Sequence, residues 1–405
     1  MTGTGYTFDE MRRFHAVWSL ANWDKGGPQM RYTFRRMTEF FPHVLIRRAG
    51  PVSRLAESPR DEIARASVQT RRGDVSLDTY VADSSVNGVV ILHRGAIVYE
   101  RYPRMCPDDL HLTMSVSKVF TSTLIAILED RGLVDVLQPV DAYVPDLRGS
   151  GWEGVSVRDV LDMASGIDCD QTPADVYTNP EQPYYGFEAS LGWLPPLAGT
   201  ADSTYDYVAG LGRLKEPGEA FDYSSANTFV LAWLAEQITG RPHADLLSDE
   251  IWSRIGAEGD AAITIVPGSG ATASHAGLSA RLRDIARFGL LFTASRERVS
   301  ETRLVSDHYL RGIASGRPDI FANGITGRSM LARMAGDPPS HNSYQWDYVM
   351  PDGDFYKGGY GGQGLYISPA RDLVIAFAGA FEIDGPDSEM PGIARQLARS
   401  VLFGP

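Results

Sequence analysis

Cysteine is almost absent from the sequence, and there is no long apolar run. The two cysteines, Cys106 and Cys169, lack the spacing of a metal site and are too few for a disulfide framework, although the sequence also allows one bridge between them. No apolar stretch is long enough to cross a bilayer, and the N-terminus shows no secretory signal. We therefore predict a cytoplasmic protein with reduced thiols that does not insert into a membrane.

Basic residues are fewer than acidic ones, at 38 against 51, and the formal net charge is −13. Phosphate backbones and anionic membrane surfaces repel such a chain, so neither nucleic acid nor a membrane is predicted as a partner. The histidines show no paired metal-ligand spacing, and the sequence contains neither GxGxxG before a helix nor GxxxxGK. We predict no metal and no cofactor. The G-x-S-x-G elbow of α/β-hydrolases is missing as well.

The hydrophobic pattern predicts both sheet and helix. The 405 residues, 43% hydrophobic and 22% charged, are typical of a folded soluble protein larger than one compact core. Short apolar runs on either side of Gly-containing or polar turns predict two β-hairpins, with strands at 89–94 and 97–100 and at 365–367 and 373–377. Apolar residues at helical spacing predict helices at 8–23, 32–41, 115–130 and 392–402.

The order of these elements predicts an α+β fold, because strands come first, helices fill the middle, and strands and a helix close the chain. We expect an antiparallel sheet flanked by helices, with an inserted, mainly helical domain. Residues 1–80 are predicted to form an N-terminal extension that packs on the core. Residues 81–135 and 266–405 are predicted to form the sheet domain, and residues 136–265 the helical domain.

The tetrapeptide from Ser115 to Lys118 is an S-x-x-K motif that opens a predicted helix. Residues three apart share a helix face, so the lysine amine can reach the serine hydroxyl and remove its proton, provided that burial lowers the amine pKa. The motif is weak alone, since a surface serine and lysine produce it by chance. Lysine is scarce here, however, and arginine carries most of the positive charge.

Tyr223 follows a Pro-Gly turn at 217–218, roughly 110 residues after the S-x-x-K motif. A phenol beside a Ser–Lys pair could pass a proton to a leaving group, more readily if the lysine charge lowers the phenol pKa. Taken alone, Tyr223 is more typical of a core aromatic.

A glycine-rich segment, GGYGGQG at 358–364, stands directly before the strand predicted at 365–367. Glycines at a strand edge let a substrate approach the backbone, where N–H groups can bind a developing oxyanion. A flexible glycine loop would show the same composition.

Together and in this order, the three motifs resemble those of the serine β-lactamase and DD-peptidase superfamily. The resemblance is stronger to the 6-aminohexanoate-dimer (nylon-oligomer) hydrolases and their esterase-like relatives. It is carried by residues 111–118 (HLTMSVSK), 157–168, 223–233 (YSSANTFVLAW) and 359–369. It extends from about residue 89 to the C-terminus and, more faintly, through the N-terminal segment. The resemblance implies the β-lactamase and penicillin-binding-protein fold.

The resemblance also implies residue roles. Ser115 would be the nucleophile, Lys118 its base and Tyr223 the proton relay. The N–H groups of Ser115 and Gln363 would form the oxyanion hole.

Substrate-binding residues follow from the same resemblance. A mobile loop in these hydrolases supplies a tyrosine and an acidic residue, and the segment 190–193 (SLGW) places Tyr177 and Glu188 at those positions, although both could be ordinary loop residues. His275 stands where the relatives have asparagine, and it either contacts substrate or packs.

The K-T-G motif of many β-lactamases is replaced by Tyr360, Gly361 and Gly362, which are predicted to line the substrate site. The cation that holds a β-lactam carboxylate would then be missing. Lys357 offers a rival register, but the following strand would sit too far away. Strong β-lactamase activity is therefore not expected.

The sequence thus predicts a serine hydrolase that cleaves an amide or ester bond of a small molecule through an acyl-enzyme at Ser115. A carboxylesterase or acyltransferase of the same fold, with little amidase activity, is the alternative. A non-catalytic ligand-binding homologue would have lost the nucleophile or the base, and both are present. A homodimer is also predicted.

Overall fold

The computed structural model describes residues 5–197, 203–383 and 388–404. Within these residues the strands are β1 (His43–Ile46), β2 (Ala56–Glu57), β3 (Ser67–Thr70), β4 (Gly73–Ser76), β5 (Val86–His93), β6 (Ala96–Arg101), β7 (His111–Leu112), β8 (Ala261–Thr264), β9 (Leu278–Ala280), β10 (His341–Ser343), β11 (Trp346–Val349), β12 (Phe355–Gly359), β13 (Gln363–Ser368) and β14 (Leu373–Gly379).

The α-helices of the same residues are α1 (Phe8–Val17), α2 (Gly27–Arg35), α3 (Asp61–Ala64), α4 (Leu77–Asp83), α5 (Ser117–Asp130), α6 (Val140–Tyr143), α7 (Val157–Leu161), α8 (Pro183–Ser190), α9 (Thr204–Ala209), α10 (Ser225–Thr239), α11 (His243–Glu250), α12 (Leu282–Leu290), α13 (Asp307–Ala314), α14 (Pro318–Asn323), α15 (Ile325–Arg333) and α16 (Met390–Ala398). Short 3-10 helices cover Met37–Glu39, Met114–Val116, Pro145–Leu147, Trp252–Arg254 and Ala294–Arg298.

The main sheet has eight strands in the order β10-β11-β12-β13-β14-β5-β6-β2, all antiparallel neighbours except the parallel β2–β6 pair. Its central strands are buried on both faces. On β5, Val90 and Leu92 belong to one core and Val89 and Ile91 to the other. This two-sided burial explains why β5 reads as a continuous apolar run rather than as an alternating one.

Helix α5 crosses the larger core and carries the S-x-x-K lysine. Every residue from Ser117 to Leu128 is buried, and the helix packs against α10 and α11. The predicted helix at 115–130 therefore exists, but Ser115 lies on the 3-10 turn Met114–Val116 that precedes it. Ser115, the candidate nucleophile, thus lies at the N-terminal end of a buried helix.

Both predicted hairpins are confirmed, as β5–β6 and β13–β14. The two N-terminal helices have different bounds from those predicted: α1 ends at Val17, and α2 starts at Gly27. The Asn22 side chain accepts the Ser19 N–H and forms a turn between them. Pro28 in the first turn of α2 then favours a helix start there. The closing helix α16 lies slightly earlier than predicted, at Met390–Ala398.

The α+β fold class is confirmed. Between α5 and β8 the described residues form helices α6 to α11 joined by loops, which agrees with a mainly helical insertion. The N-terminal residues supply β1 to a four-stranded sheet of order β1-β8-β9-β7 and β2 to the main sheet. They also supply Met30 and Phe34 to the larger core. The division at residues 80, 135 and 265 stays a prediction.

Candidate active site

Ser115 is positioned by a strained turn between β7 and α5. Met114 has φ of 47°, a left-handed conformation that costs a residue with a side chain about 1–3 kcal/mol. The chain before it is tied down, because the Thr113 N–H and hydroxyl both donate to the Leu278 carbonyl, at 2.8 and 2.9 Å. Strain of this kind persists only where the surrounding fold imposes it, and here it fixes the direction of the serine.

Lys118 is fully buried, and its amine contacts only uncharged groups. Its Nζ lies 2.9 Å from Ser115 Oγ, 3.0 Å from Ser225 Oγ and 3.0 Å from the His275 carbonyl oxygen. Burial, and next the nearby charge of Lys357, hold the pKa of the Lys118 amine well below its ordinary value. A neutral amine beside a hydroxyl can act as its general base.

Tyr223 stands just before α10, where its N–H donates to Thr326 Oγ1 at 3.1 Å. Its ring centroid is 5.1 Å from Lys118 Nζ. Burial, and next the Asp347 charge, raise the pKa of the Tyr223 phenol, and only hydrogen bonding with Ser115 opposes the rise. The condition that the lysine charge lowers the pKa of this phenol is therefore not met. A phenol that keeps its proton is suited to give one to a leaving group.

Lys357 lies in the same site, so the prediction that this cation is missing is wrong. It sits on β12, fully buried, and its Nζ is 2.7 Å from Tyr223 Oη. Asp347 on the adjacent strand β11 forms an ion pair with this amine and also accepts the Gly358 N–H at 2.8 Å. The register was misjudged because β12 continues to Gly359 and pairs directly with β13, so no gap separates the lysine from its neighbouring strand.

The glycine-rich segment is the turn between β12 and β13. A Cβ at Gly359 would lie 2.6 Å from the Thr113 carbonyl oxygen, and one at Gly361 would lie 2.5 Å from Met30 Cε. The Gly361 and Gly362 φ values are also positive, at 90° and 95°. Only glycine therefore lets this turn approach the segment that carries Ser115.

Gln363 begins β13, and its side chain turns away from Ser115. Its amide donates to the Gly379 carbonyl at 2.8 Å and accepts the Gly379 N–H at 3.1 Å. The exposed Tyr360 instead lines the same cavity as Ser115. The roles predicted for these residues in oxyanion and substrate binding stay predictions.

Tyr177, Glu188 and His275 line this cavity, which has a volume of about 60 Å³. Glu188 is buried on α8, where it accepts from the Tyr184 hydroxyl and contacts His275 Nε2 at 3.0 Å. His275 is buried as well, and its carbonyl accepts from Lys118. Tyr177 is partly exposed. The structure thus brings together these three of the six residues predicted for the substrate site.

Three residues around the motif were missed by sequence reasoning, namely Gln171, Ser225 and Asp347, whereas Lys357 was considered and rejected. Ser225 could have been found, because it lies two residues beyond Tyr223 at the start of a helix. Gln171 and Asp347 reach the site from a loop and from a neighbouring strand, and no local motif marks them. Among residues 5–197, 203–383 and 388–404, no cluster of three metal-ligating side chains was found and no helix could span a membrane.

Known proteins are similar to this chain in both sequence and fold. The model of the β-lactamase family matches residues 74–386. The chain is 32% identical over 362 residues to 6-aminohexanoate-dimer hydrolase of Paenarthrobacter ureafaciens, covering 88% of this chain and 86% of that protein.

Two solved structures extend the likeness. A Bacillus anthracis protein assigned as a 6-aminohexanoate-dimer hydrolase matches with a TM-score of 0.78 at 24% identity, over 94% of this chain and 96% of that one. EstCE1, a hydrolase with promiscuous acyltransferase activity, matches with a TM-score of 0.60 at 14% identity, over 80% of this chain and 96% of that one. At these identities both show the fold alone. From the family match and the curated relative together, the chain belongs to the β-lactamase family and is a serine hydrolase.

Proposed function

We propose that the protein cleaves an amide or ester bond of a small molecule through an acyl-enzyme formed on Ser115. The observation that carries this proposal is the 2.9 Å contact between Ser115 Oγ and a buried lysine amine whose partners are all uncharged. A hydroxyl is a weak nucleophile until a base takes its proton, and Lys118 is the base within reach.

Acylation follows from this arrangement. Lys118 takes the Ser115 proton as Oγ forms a bond to the substrate carbonyl carbon, and the carbonyl oxygen becomes an oxyanion. Backbone N–H groups stabilise that charge, and losing one such donor typically costs about 3 kcal/mol. The Ser115 N–H is the first donor we propose. Gln363 remains the second predicted donor, and Tyr360 is a rival for this role because it lines the same cavity as Ser115.

Tyr223 then protonates the leaving group. Lys357 donates to Tyr223 Oη, so the phenol proton is directed elsewhere, toward Ser115 and the bond that breaks. The carbon–nitrogen or carbon–oxygen bond breaks as the leaving group takes this proton, and Lys118 returns a proton to the phenol. Water, activated by the same residues, hydrolyses the acyl-enzyme and restores Ser115.

The substrate we propose is a small amide related to the dimer for which the curated relative is named, with esters as alternative substrates. Tyr177, Glu188 and His275 are proposed to contact it, because they line the cavity at Ser115. Lys357 is a poor anchor for a β-lactam carboxylate, since Asp347 already neutralises its charge. A homodimer and a cytoplasmic location remain predictions from the sequence.

An acyltransferase would use the same acyl-enzyme and differ only in the acceptor. The fold of EstCE1, described as having promiscuous acyltransferase activity, is the observation that favours this second candidate. Product analysis with added alcohol or amine separates the two, because transfer yields a new ester or amide whereas hydrolysis yields only the free acid.

Replacement of Ser115 by alanine tests the proposal. We expect hydrolysis of p-nitrophenyl esters to fall at least about a thousandfold, because Ser225, the other hydroxyl beside Lys118, gives its proton to Gln171 and cannot replace the nucleophile. Ser122→Ala is the matched control, since Ser122 lies on the same buried helix but contacts Tyr309 instead of the site. Undiminished hydrolysis by Ser115→Ala, with normal folding, would refute the proposal.

A further inference from the structure

Gln171 connects three parts of the site, and the proposed mechanism does not use it. Its Oε1 accepts the Ser225 hydroxyl proton at 2.7 Å, and its Nε2 donates to Tyr177 Oη at 3.2 Å. Its backbone N–H donates to the Tyr223 carbonyl at 3.0 Å. The amide therefore bridges the serine that contacts Lys118 and the tyrosine that lines the substrate cavity.

The hydrogen bonds of Lys118 decide which way its lone pair points. A neutral amine has two N–H groups and one lone pair. The His275 carbonyl can only accept, so one N–H must point to it. Ser225 gives its single proton to Gln171, so its oxygen accepts the second N–H. The lone pair is then left for Ser115.

Loss of the Gln171 amide would remove the constraint that directs the Lys118 lone pair at Ser115. The Ser225 proton would be free to turn toward Lys118 and compete with Ser115 for the lone pair. Tyr184 also lies beside Ser225 and gives its own proton to Glu188, so its oxygen offers a weaker substitute acceptor. We expect a partial loss of base function for this reason.

We propose that Gln171 is a positioning residue, which accepts the Ser225 proton and thereby keeps the Lys118 lone pair directed at Ser115. This inference rests on the proposed function, because it assigns a task to Gln171 only if Lys118 is the base. Gln171 itself does not touch the reacting atoms.

Two substitutions test the proposal, and they differ in the acceptor that they leave. Gln171→Met has similar length and no acceptor, and we expect it to lower kcat for p-nitrophenyl ester hydrolysis about tenfold with little change in KM. Gln171→Glu keeps an acceptor for Ser225 and adds a negative charge. We expect this variant to recover most of the rate at high pH.

The pH profile separates positioning from mere structural support. In Gln171→Glu the added charge favours protonated Lys118, so the acid limb of kcat/KM should move to higher pH. In Gln171→Met a proton donated by Ser225 favours the neutral amine, so the limb should move to lower pH. Both variants leave unchanged the titratable and charged groups that face Lys118, which are Lys357, Asp347, Glu188, His275 and Tyr223.

Gln138→Met, at an exposed glutamine near Asp135, is the control for loss of an amide. Wild-type kcat and an unmoved limb in Gln171→Met would overturn the proposal, as would equal losses and unmoved limbs in both variants. If Gln171→Met fails to fold, the acid limb of kcat/KM measured for Gln171→Glu decides between the outcomes on its own. Ser115→Ala is measured in parallel: activity there refutes the proposed function, whereas an inactive Ser115→Ala with a wild-type Gln171→Met refutes only the role of Gln171.

Discussion

The two ends of the active site each bury a lysine against Tyr223, and they differ in the partners that the lysine meets. At one end, Lys118 contacts two hydroxyls and a carbonyl. At the other end, Lys357 is paired with the carboxylate of Asp347. Burial lowers the pKa of both amines, but Asp347 opposes this for Lys357, whereas the Lys357 charge lowers the pKa of Lys118 further.

Under the proposed function, the difference explains how one fold obtains a base and a hydrogen-bond donor from the same type of side chain. Desolvation without a counter-charge favours the neutral amine, which can take a proton. Desolvation beside a carboxylate keeps the cation, which can only donate. Because the two amines lie near one phenol, the Lys357 charge adds to burial in lowering the pKa of Lys118.

The largest difference between the two ends should come from replacing each lysine by arginine, because arginine stays protonated in proteins. Lys118→Arg cannot act as a base, and we expect kcat for p-nitrophenyl ester hydrolysis to fall at least about a thousandfold. Lys357→Arg keeps the cation beside Asp347, and we expect a loss of only about tenfold. Equal losses of kcat in the two variants would contradict the different roles given to the two lysines.

Tyr223 joins the two ends, and its removal should separate amide from ester chemistry. Tyr223→Phe removes the proton for a poor leaving group, so we expect amide hydrolysis to fall about a hundredfold. A p-nitrophenolate leaves without protonation, so ester hydrolysis should fall much less. The control is Tyr205→Phe, which loses a hydroxyl contact with Glu236 outside the site. Similar losses for both substrates would argue against Tyr223 as the proton donor.

The smallest effects are on stability, and they should have opposite signs at the two ends. Between the lowered pKa of folded Lys118 and its ordinary value in the unfolded chain, only the unfolded state carries the proton, which destabilises the fold. Lys118→Met should therefore raise the free energy of unfolding at pH 7 by about 1 kcal/mol. Lys357→Met leaves the Asp347 carboxylate unpaired and should lower it by about 3 kcal/mol. Urea unfolding measures both values, and a destabilised Lys118→Met would contradict this reasoning.

The parts of the site that sequence could reveal are those set by local spacing. Ser115 and Lys118 are three residues apart, so their contact follows from the local spacing across the 3-10 turn and the first turn of α5. Tyr223 follows a turn signal, and the resemblance supplies its role. These residues are brought together in the structure as the motifs predict.

The parts that sequence could not reveal depend on tertiary pairing. The place of Lys357 is set by the register between β12 and β13, and Asp347 reaches it from the adjacent strand. The hairpins could be predicted from apolar runs and turns, yet the order of the eight strands found among the described residues could not, since it depends on contacts between segments far apart in the chain.

The most direct test of the contrast between the two lysines is an NMR titration of lysine side chains labelled at Cε and Nζ. The sequence makes this practical, because lysine occurs only at Lys25, Lys118, Lys215 and Lys357, and single substitutions assign the signals. We predict that Lys118 loses its proton well below the ordinary value of 10.5 and before Lys357, so the base is formed as pH rises through that lower value. A Lys118 signal that keeps its proton up to the ordinary value of 10.5 would contradict the account.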